Sequence, residues 1–287
     1  MDEIVKVDRF RHIADLIRVA ASPVPGLARE MRSSMVGREA FNGTKSLDEA
    51  LELARKGWPD GMAYIEKMQA EIKRLTRGLV PVPQPEPNLS RGRVSVSRAI
   101  LGHPKAFIKQ VDHGRTRAAM MPKIITLVYN ASVSGAISRD VIMRRGAAMI
   151  VACQTLERRN IRCNIELVFA IRNRIRANSP SAKRIEYRLR IKHANEHVST
   201  SKLAFFLAHP STPRRLLFSI VEHEPDATRA LFGFGRDKGN YGLPSETDER
   251  GHIYLGRIAS NTDWSEALTI AWLKKTLSDQ GLVLREI

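Results

Sequence analysis

The stretch Lys123-Ile124-Ile125-Thr126-Leu127-Val128-Tyr129 decides the fold, because it is a continuous run of β-prone residues. Such a run is typical of a strand that is covered on both faces. A long helix is predicted over residues 138–159, and the next strand over residues 163–171. A helix of this length between two strands is typical of a crossover connection, which predicts that the two strands are parallel neighbours.

Further segments extend this pattern toward the C-terminus. Residues 185–191 alternate between apolar and charged side chains, which predicts a half-covered strand at or near an edge of the sheet. Residues 253–258 predict a last main strand, and residues 263–280 predict a closing helix. The sequence therefore predicts an α/β fold with an open, mostly parallel sheet that is flanked by helices in a Rossmann-like winding.

The N-terminal quarter predicts helices. The capping box Ser46-Leu47-Asp48-Glu49 begins a helix that ends at Gly57, and a second helix follows over residues 62–75. Alternate prolines over residues 81–87 favour an extended strap. We therefore expect a helical unit in residues 1–80, a proline-rich linker in 81–92 and the α/β domain in 93–287. A strap that packs on the main domain is the alternative.

Composition narrows the class of protein. The chain has 287 residues and a net charge of +17, which attracts polyanions such as nucleic acid or an acidic protein. A solvated basic surface is the alternative. No apolar run is long enough to cross a membrane, and the N-terminus does not resemble a signal peptide. Only two cysteines are present, so we expect no disulfide framework and a cytoplasmic protein.

The turn after the first core strand reads Asn130-Ala131-Ser132-Val133-Ser134. It resembles the Asp-x-Ser-x-Ser opening of the metal site in von Willebrand factor A-type domains, with Asn130 in place of the aspartate. The resemblance covers about residues 120–287 and implies that fold. It also implies a hydroxyl loop at Ser199-Thr200-Ser201 and a later acid at Asn261-Thr262-Asp263.

The chain as a whole also resembles an uncharacterised family of phage- and prophage-encoded proteins. This resemblance implies an origin in a mobile element and, if so, a place in the host cytoplasm, but it carries no known activity. It rests on Ser46-Leu47-Asp48-Glu49-Ala50, Gly57-Trp58-Pro59-Asp60-Gly61, Arg145-Gly146-Ala147-Ala148, Leu203-Ala204-Phe205-Phe206-Leu207-Ala208-His209-Pro210 and Arg214-Arg215.

The carboxyl ends of parallel strands are where ligands gather in open sheets, and Asn130 lies at such an end. Ser132 and Ser134 offer oxygen ligands of the kind that Mg²⁺ accepts, although a neutral amide attracts a cation less than a carboxylate does. A polar turn bonded to its own backbone is the alternative, and Asp263 is alternatively a helix cap. Our leading hypothesis is a non-enzymatic protein–protein interaction module, with or without a metal, at Asn130, Ser132, Ser134, Thr200 and Asp263.

The sequence also indicates two alternatives to the protein–protein interaction module. The first alternative is nucleic-acid binding through an arginine-rich face formed by Arg144, Arg145, Arg158, Arg159, Arg172, Arg174 and Arg176. The second is a metal-dependent hydrolase, since His193-Ala194-Asn195-Glu196-His197 matches a zinc-protease pattern. That pattern requires a helix, whereas this segment ends a strand and contains Asn, so a loop is favoured. No residue is assigned a catalytic role.

Overall fold

The computed structural model describes residues 3–27, 32, 34–35, 39–75, 87–88, 93–94, 100, 107–108, 123–158, 160–174, 181–234 and 242–279. The strands are β1 (Glu3–Phe10), β2 (Pro87–Asn88), β3 (Arg93–Val94), β4 (Phe107–Ile108), β5 (Lys123–Asn130), β6 (Ile161–Arg172), β7 (Lys183–Lys192), β8 (Leu243–Pro244) and β9 (Ile253–Leu255). The helices are α1 (Ile13–Ala21), α2 (Glu39–Asn42), α3 (Leu47–Lys56), α4 (Asp60–Leu75), α5 (Arg139–Glu157), α6 (Thr200–Ala208), a π-helix (Thr212–Leu216), α7 (Leu217–Val221), α8 (Asp226–Phe232) and α9 (Glu266–Asp279).

The main sheet has six strands, with the order β1-β7-β6-β5-β9 and with β8 paired to β6 outside this order. The pairs β1/β7, β5/β6 and β5/β9 are parallel, whereas β6/β7 and β6/β8 are antiparallel. A smaller sheet has the order β2-β4-β3. The prediction of an α/β fold with an open, mostly parallel sheet flanked by helices is confirmed.

The second half of the interior strand β5 is buried on both sides, as its continuous apolar run predicts. Leu127 is 0% exposed, Val128 1% and Tyr129 2%. Leu127 and Tyr129 belong to the large core under the helices, and Val128 belongs to a small cluster on the opposite face. Burial of both faces therefore explains why this strand does not alternate in polarity.

One large core joins the helices to one face of the sheet. Leu167 and Tyr187 point into it from β6 and β7, and Leu16 and Leu51 join it from α1 and α3. The N-terminal helices thus pack into the same core as the sheet, and β1 extends that sheet. This shared core differs from the separate helical unit that the sequence predicts for residues 1–80. The linker of residues 81–92 lies outside the described residues, except for Pro87 and Asn88.

The opposite face of the sheet is charged and yet buried. Glu186 is 2% exposed and Arg184 7%. The Arg188 guanidinium lies between three carboxylates, with Nη1 2.8 Å from Glu166 Oε1, Nη2 2.8 Å from Glu186 Oε2, and a further ion pair to Glu249. The segment around Glu249 therefore covers this face. The prediction that β7 is only half covered is wrong, because paired charges are buried where alternation suggested exposure.

Close contact between α5 and α6 depends on one glycine. A Cβ atom placed on Gly146 would lie 2.1 Å from Leu207 O and 2.4 Å from Ala208 Cα, both in the backbone of α6. Only a residue without a side chain lets the two helices approach this closely. Gly146 therefore fixes the position of α6 on the crossover helix.

Arginines of the π-helix hold the segment before α3 against the core. Arg215 is 0% exposed and donates hydrogen bonds to Ser34 O (2.9 Å) and Thr44 O (3.0 Å). Arg214 donates to Phe41 O (2.5 Å), and its guanidinium carbon lies 3.9 Å from the centre of the Phe41 ring. Both arginines thus bind backbone carbonyl groups inside the protein and do not present their charge at the surface.

Within the described part of the chain, every helix is too short or too polar to cross a membrane.

Candidate polyanion-binding site

The turn after β5 uses its polar side chains internally. Asn130 is fully buried, and its Nδ2 donates to Ser245 O and to the Tyr254 hydroxyl, each at 2.9 Å. Asn130 Oδ1 accepts from Ser132 N (3.0 Å), and Ser132 Oγ accepts from Ala170 N (2.7 Å). These bonds match the polar-turn alternative, because they leave Asn130 and Ser132 facing protein groups rather than solvent.

The exposed part of this turn meets the loop before α9. Ser134 is exposed, and its Oγ accepts from Ala136 N (3.3 Å). Asn261 bridges the two loops, accepting from Ser138 N (2.7 Å) and donating to Ala136 O (3.1 Å). Asp263 lies in this neighbouring loop, where its Oδ2 accepts from the backbone N–H groups of residues 259 and 260, both at 2.8 Å.

Asp263 does not act as the cap of α9, because Ser265 has that role. Leu268 N donates to Ser265 Oγ (3.3 Å), and Thr269 N donates to Ser265 O (2.9 Å). The alternative interpretation of Asp263 as a helix cap is therefore wrong, and its carboxylate closes its own loop instead.

Thr200 lies far from the other four predicted residues. It is the first residue of α6, and its Oγ1 accepts from Gln154 Nε2 (3.1 Å) near the end of α5. The turn after β5 leads into the start of α5, which is roughly 22 Å from Gln154 at a rise of about 1.5 Å per residue. The structure thus places Asn130, Ser132 and Ser134 together, puts Asp263 on the adjoining loop, and separates Thr200 from all of them.

The predicted arginine-rich face is not a single surface. Arg144 donates to Trp264 O (2.7 Å). Arg145 is fully buried, donates to Leu255 O (2.7 Å) and stacks on the Tyr129 ring at 4.1 Å. Burial lowers the pKa of Arg145, and the nearby Tyr129 opposes this shift.

The other predicted arginines that the structure describes lie at opposite ends of β6. Arg158 is exposed just before the strand begins, whereas Arg172 and Arg174 lie where it ends. A strand of this length spans roughly 36 Å at about 3.3 Å per residue. Arg159 and Arg176 lie outside the described residues. The described members therefore cannot contact one phosphate chain as a compact patch.

A different basic site forms where β1 and β7 end. These strands are parallel neighbours, with Phe10 opposite Leu189, so the segments that follow them emerge at the same edge of the sheet. Arg11 and His12 connect β1 to α1, and residues 193–199 connect β7 to α6. Both helix N-termini therefore face this edge, where their partial positive charges favour an anion.

A cavity of about 790 Å³ opens between these segments and the end of α3. We call it the basic cleft. Its lining includes five Arg or Lys side chains, three histidines and one glutamate, Glu196. The cations are Arg11, Arg18, Arg55, Arg190 and Lys202, and the histidines are His12, His193 and His197.

Three of these cations form no ion pair within the described residues. Arg18 pairs with Asp15 and Arg190 pairs with Glu166. Arg11, Arg55 and Lys202 form no ion pair with any acid in the described ranges. Their positive potential is therefore available to a ligand, and the concave wall concentrates it.

Residues 193–199, which carry two of the cleft histidines, form a turn and a loop, as the sequence predicts. Glu196 N donates to His193 O (3.0 Å), and no helix forms over residues 193–199. Among the described residues, His193, Glu196 and His197 do not bring their ligand atoms together as a metal site. The zinc-protease interpretation of this segment is therefore wrong. His12 and His193 instead place their ring centres 6.4 Å apart at the cleft.

Most cleft residues could not be identified from the sequence. Arg11, Arg18 and Arg55 belong to the N-terminal segments, and the pairing of β1 with β7 together with the packing of α1 and α3 brings them to the end of β7. His193 and His197 are recognisable in the sequence, but as part of a zinc-protease pattern rather than as residues of a basic cleft. No local sequence pattern links the arginines of the N-terminal segments to the residues at the end of β7, since more than a hundred residues separate the two groups.

No curated protein and no solved structure matches the chain. One family model matches nearly its whole length, over residues 3–283, and its description is "Domain of unknown function (DUF7192)". The chain therefore belongs to this uncharacterised family, DUF7192.

Proposed function

We propose that this protein binds single-stranded nucleic acid in the basic cleft. The observation that carries the proposal is the group of three unpaired cations, Arg11, Arg55 and Lys202, around one cavity. Lys and Arg that neutralise phosphates release condensed counterions, and this release drives the binding of nucleic acid to proteins. The net charge of +17 adds long-range attraction for the same ligand.

A single strand suits this cleft better than a duplex. The cavity of about 790 Å³ admits unpaired nucleotides, whereas a duplex is too wide to enter it. Bases that are splayed out stack on aromatic rings, and imidazoles are among the rings that serve this purpose. His12, His193 and His197 supply such rings beside the cations.

The test is the affinity of a double variant for labelled oligonucleotides. We expect Arg11→Ala with Lys202→Ala to weaken binding of single-stranded RNA or DNA by at least about tenfold at low salt. The slope of log K against log salt should also become shallower by about 1.4, since each phosphate contact contributes about 0.7 for single strands. Fluorescence anisotropy over a salt series measures both quantities.

The matched control removes the same charges elsewhere. Arg250 and Lys275 are 88% and 77% exposed and do not line the cleft. Arg250→Ala with Lys275→Ala should leave the affinity within about threefold of the wild type. Equal losses in the two double variants would show that net charge, not the cleft, determines binding. Absence of any complex at low salt would overturn the proposal.

A second candidate function is partner binding at the exposed turn around Ser134. We infer that residues 120–287 form a von Willebrand factor A-like domain. The strand order β7-β6-β5-β9, with β7 antiparallel, supports this, as does the contact between the turn after β5 and the Asp263 loop.

Loss of partner capture by Ser134→Lys, with Arg250→Lys as control, tests this function. Calorimetric titration with Mg²⁺, Mn²⁺ and Ca²⁺ tests whether a metal takes part.

An origin in a phage or another mobile element remains our inference from the sequence resemblance, as does a place in the cytoplasm of the host cell. Both are consistent with a basic protein that binds nucleic acid. The coding region should then lie among phage genes, and the protein should fractionate with the cytoplasm after induction.

A further inference from the structure

Two thiols and one carboxylate converge beside the core, away from the cleft cations. Cys153 and Glu157 lie one helical turn apart on α5, so they share one side of the helix. Cys163 lies on β6, which packs against that side. The Sγ atoms of both cysteines and a carboxylate oxygen of Glu157 all lie within 4.8 Å of one another.

We propose that Cys153, Glu157 and Cys163 bind a zinc ion. Thiolate and carboxylate are both zinc ligands, and two sulfur donors disfavour Mg²⁺ and Ca²⁺, which take oxygen ligands. Two thiolates on a tetrahedral zinc ion lie about 3.8 Å apart, given a Zn–S distance of about 2.3 Å. That separation is compatible with the three donor atoms, which all lie within 4.8 Å of one another.

The charge of such a site is balanced by a buried lysine. Lys192 is 3% exposed, its Nζ lies 2.7 Å from Glu157 Oε1, and it donates to Cys163 O (3.3 Å). Two thiolates and a carboxylate carry three negative charges, which one zinc ion and the Lys192 ammonium neutralise together. A buried group of ligands is therefore left without net charge, which is the condition for stable burial.

An ion can reach the cluster from the side of Glu157. The Glu157 side chain is 29% exposed, whereas Cys153 and Cys163 are 1% and 0% exposed. A water molecule at that side can supply the fourth tetrahedral ligand. This site is independent of the proposed nucleic-acid binding, because none of its three ligands lines the basic cleft.

The test is metal titration of the full chain after removal of bound metal with a chelator under reducing conditions. We expect one Co²⁺ per chain, with thiolate-to-cobalt charge-transfer absorption in the near ultraviolet, and displacement of that Co²⁺ by Zn²⁺. Cys153→Ser and Cys163→Ser should each reduce this absorption. Glu157→Gln keeps both thiols and should weaken Zn²⁺ binding by at least about tenfold.

Glu52→Gln is the matched control, because Glu52 is an exposed carboxylate that also pairs with a lysine on a helix. It should bind Co²⁺ and Zn²⁺ as the wild type does, and circular dichroism should show that every variant is folded. Two results would overturn the proposal. One is Co²⁺ binding without charge-transfer absorption, and the other is unchanged Zn²⁺ affinity in a folded Glu157→Gln protein.

Discussion

His209 is a buried imidazole that packs between aromatic rings. Its ring centre lies 4.6 Å from that of Trp58 and 5.4 Å from that of Phe205, and its Nδ1 accepts a hydrogen bond from Ser211 N (3.1 Å). Burial, followed by the nearby charge of Arg139, lowers the pKa of His209 to about 4. This single residue therefore makes stability depend on pH.

We expect the free energy of unfolding to fall as the pH drops from about 6.5 to about 4. In this window the unfolded chain binds a proton at His209, whereas the folded chain does not, so protonation favours unfolding. The full effect is on the order of 3 kcal/mol. His209→Gln should flatten the dependence above pH 5, as urea unfolding at a series of pH values would measure.

His252→Gln is the control for this prediction, because His252 is exposed. It should retain the dependence of the wild type. If the wild type and His209→Gln lose stability equally between about pH 6.5 and 5, then the buried imidazole is not the cause.

The helices and strands show how far the sequence predicts this fold. The runs that form β5 and β6 are long and apolar enough to be recognised, and β7 is recognised by its alternation of apolar and charged residues. Ser46 Oγ does accept from Glu49 N (3.1 Å) in the predicted capping box. β1 is not predicted, because charged residues interrupt it and most of its side chains are exposed at an edge. Its place in the sheet depends on pairing with a distant strand, which no local pattern reveals.

The candidate site is predicted less well than the fold, and for a related reason. Local patterns found the turn at Asn130 and the loop at His193, since both follow recognisable strands. They could not reveal that Asn130 is bonded to Ser245 and Tyr254 in the interior, or that Arg11 and Arg190 line the same cavity. Those contacts arise from tertiary packing.

Contact between α5 and α6 yields a prediction at the scale of elements. Gly146→Ala should lower the free energy of unfolding by about 1–3 kcal/mol, because the new methyl group meets the backbone of α6 rather than a flexible side chain. Gly135→Ala is the control, since its Cβ would lie at an ordinary 3.8 Å from Phe41 Cζ. Urea denaturation measures both, and equal stabilities would contradict the predicted clash.

The whole molecule behaves as one packing unit in the described part of the chain. β1 pairs with β7 along its length. Lys6 Nζ forms an ion pair with Glu224 Oε1 at 2.8 Å, although the two residues lie far apart in the sequence. α1 and α3 contribute Leu16 and Leu51 to the core that β6 and β7 share. The described residues between 3 and 75 therefore cover apolar surface that the rest of the chain would otherwise expose to water.

A fragment of residues 93–287 tests this arrangement. We expect it to aggregate or to lack a cooperative unfolding transition, because it loses β1 and the helices that cover the core. Size-exclusion chromatography and thermal unfolding followed by circular dichroism are the measurements, with the full chain as reference. A monomeric fragment that unfolds cooperatively would instead support the division into domains predicted from the sequence.

Pairing between the first and a late strand has a consequence for synthesis on the ribosome. Glu3 lies opposite Lys183, so β1 leaves the exit tunnel about 180 residues before its partner exists. β1 must therefore remain unpaired until β7 has been synthesised. The basic cleft, which needs both strands, is consequently missing from every nascent chain shorter than about 200 residues.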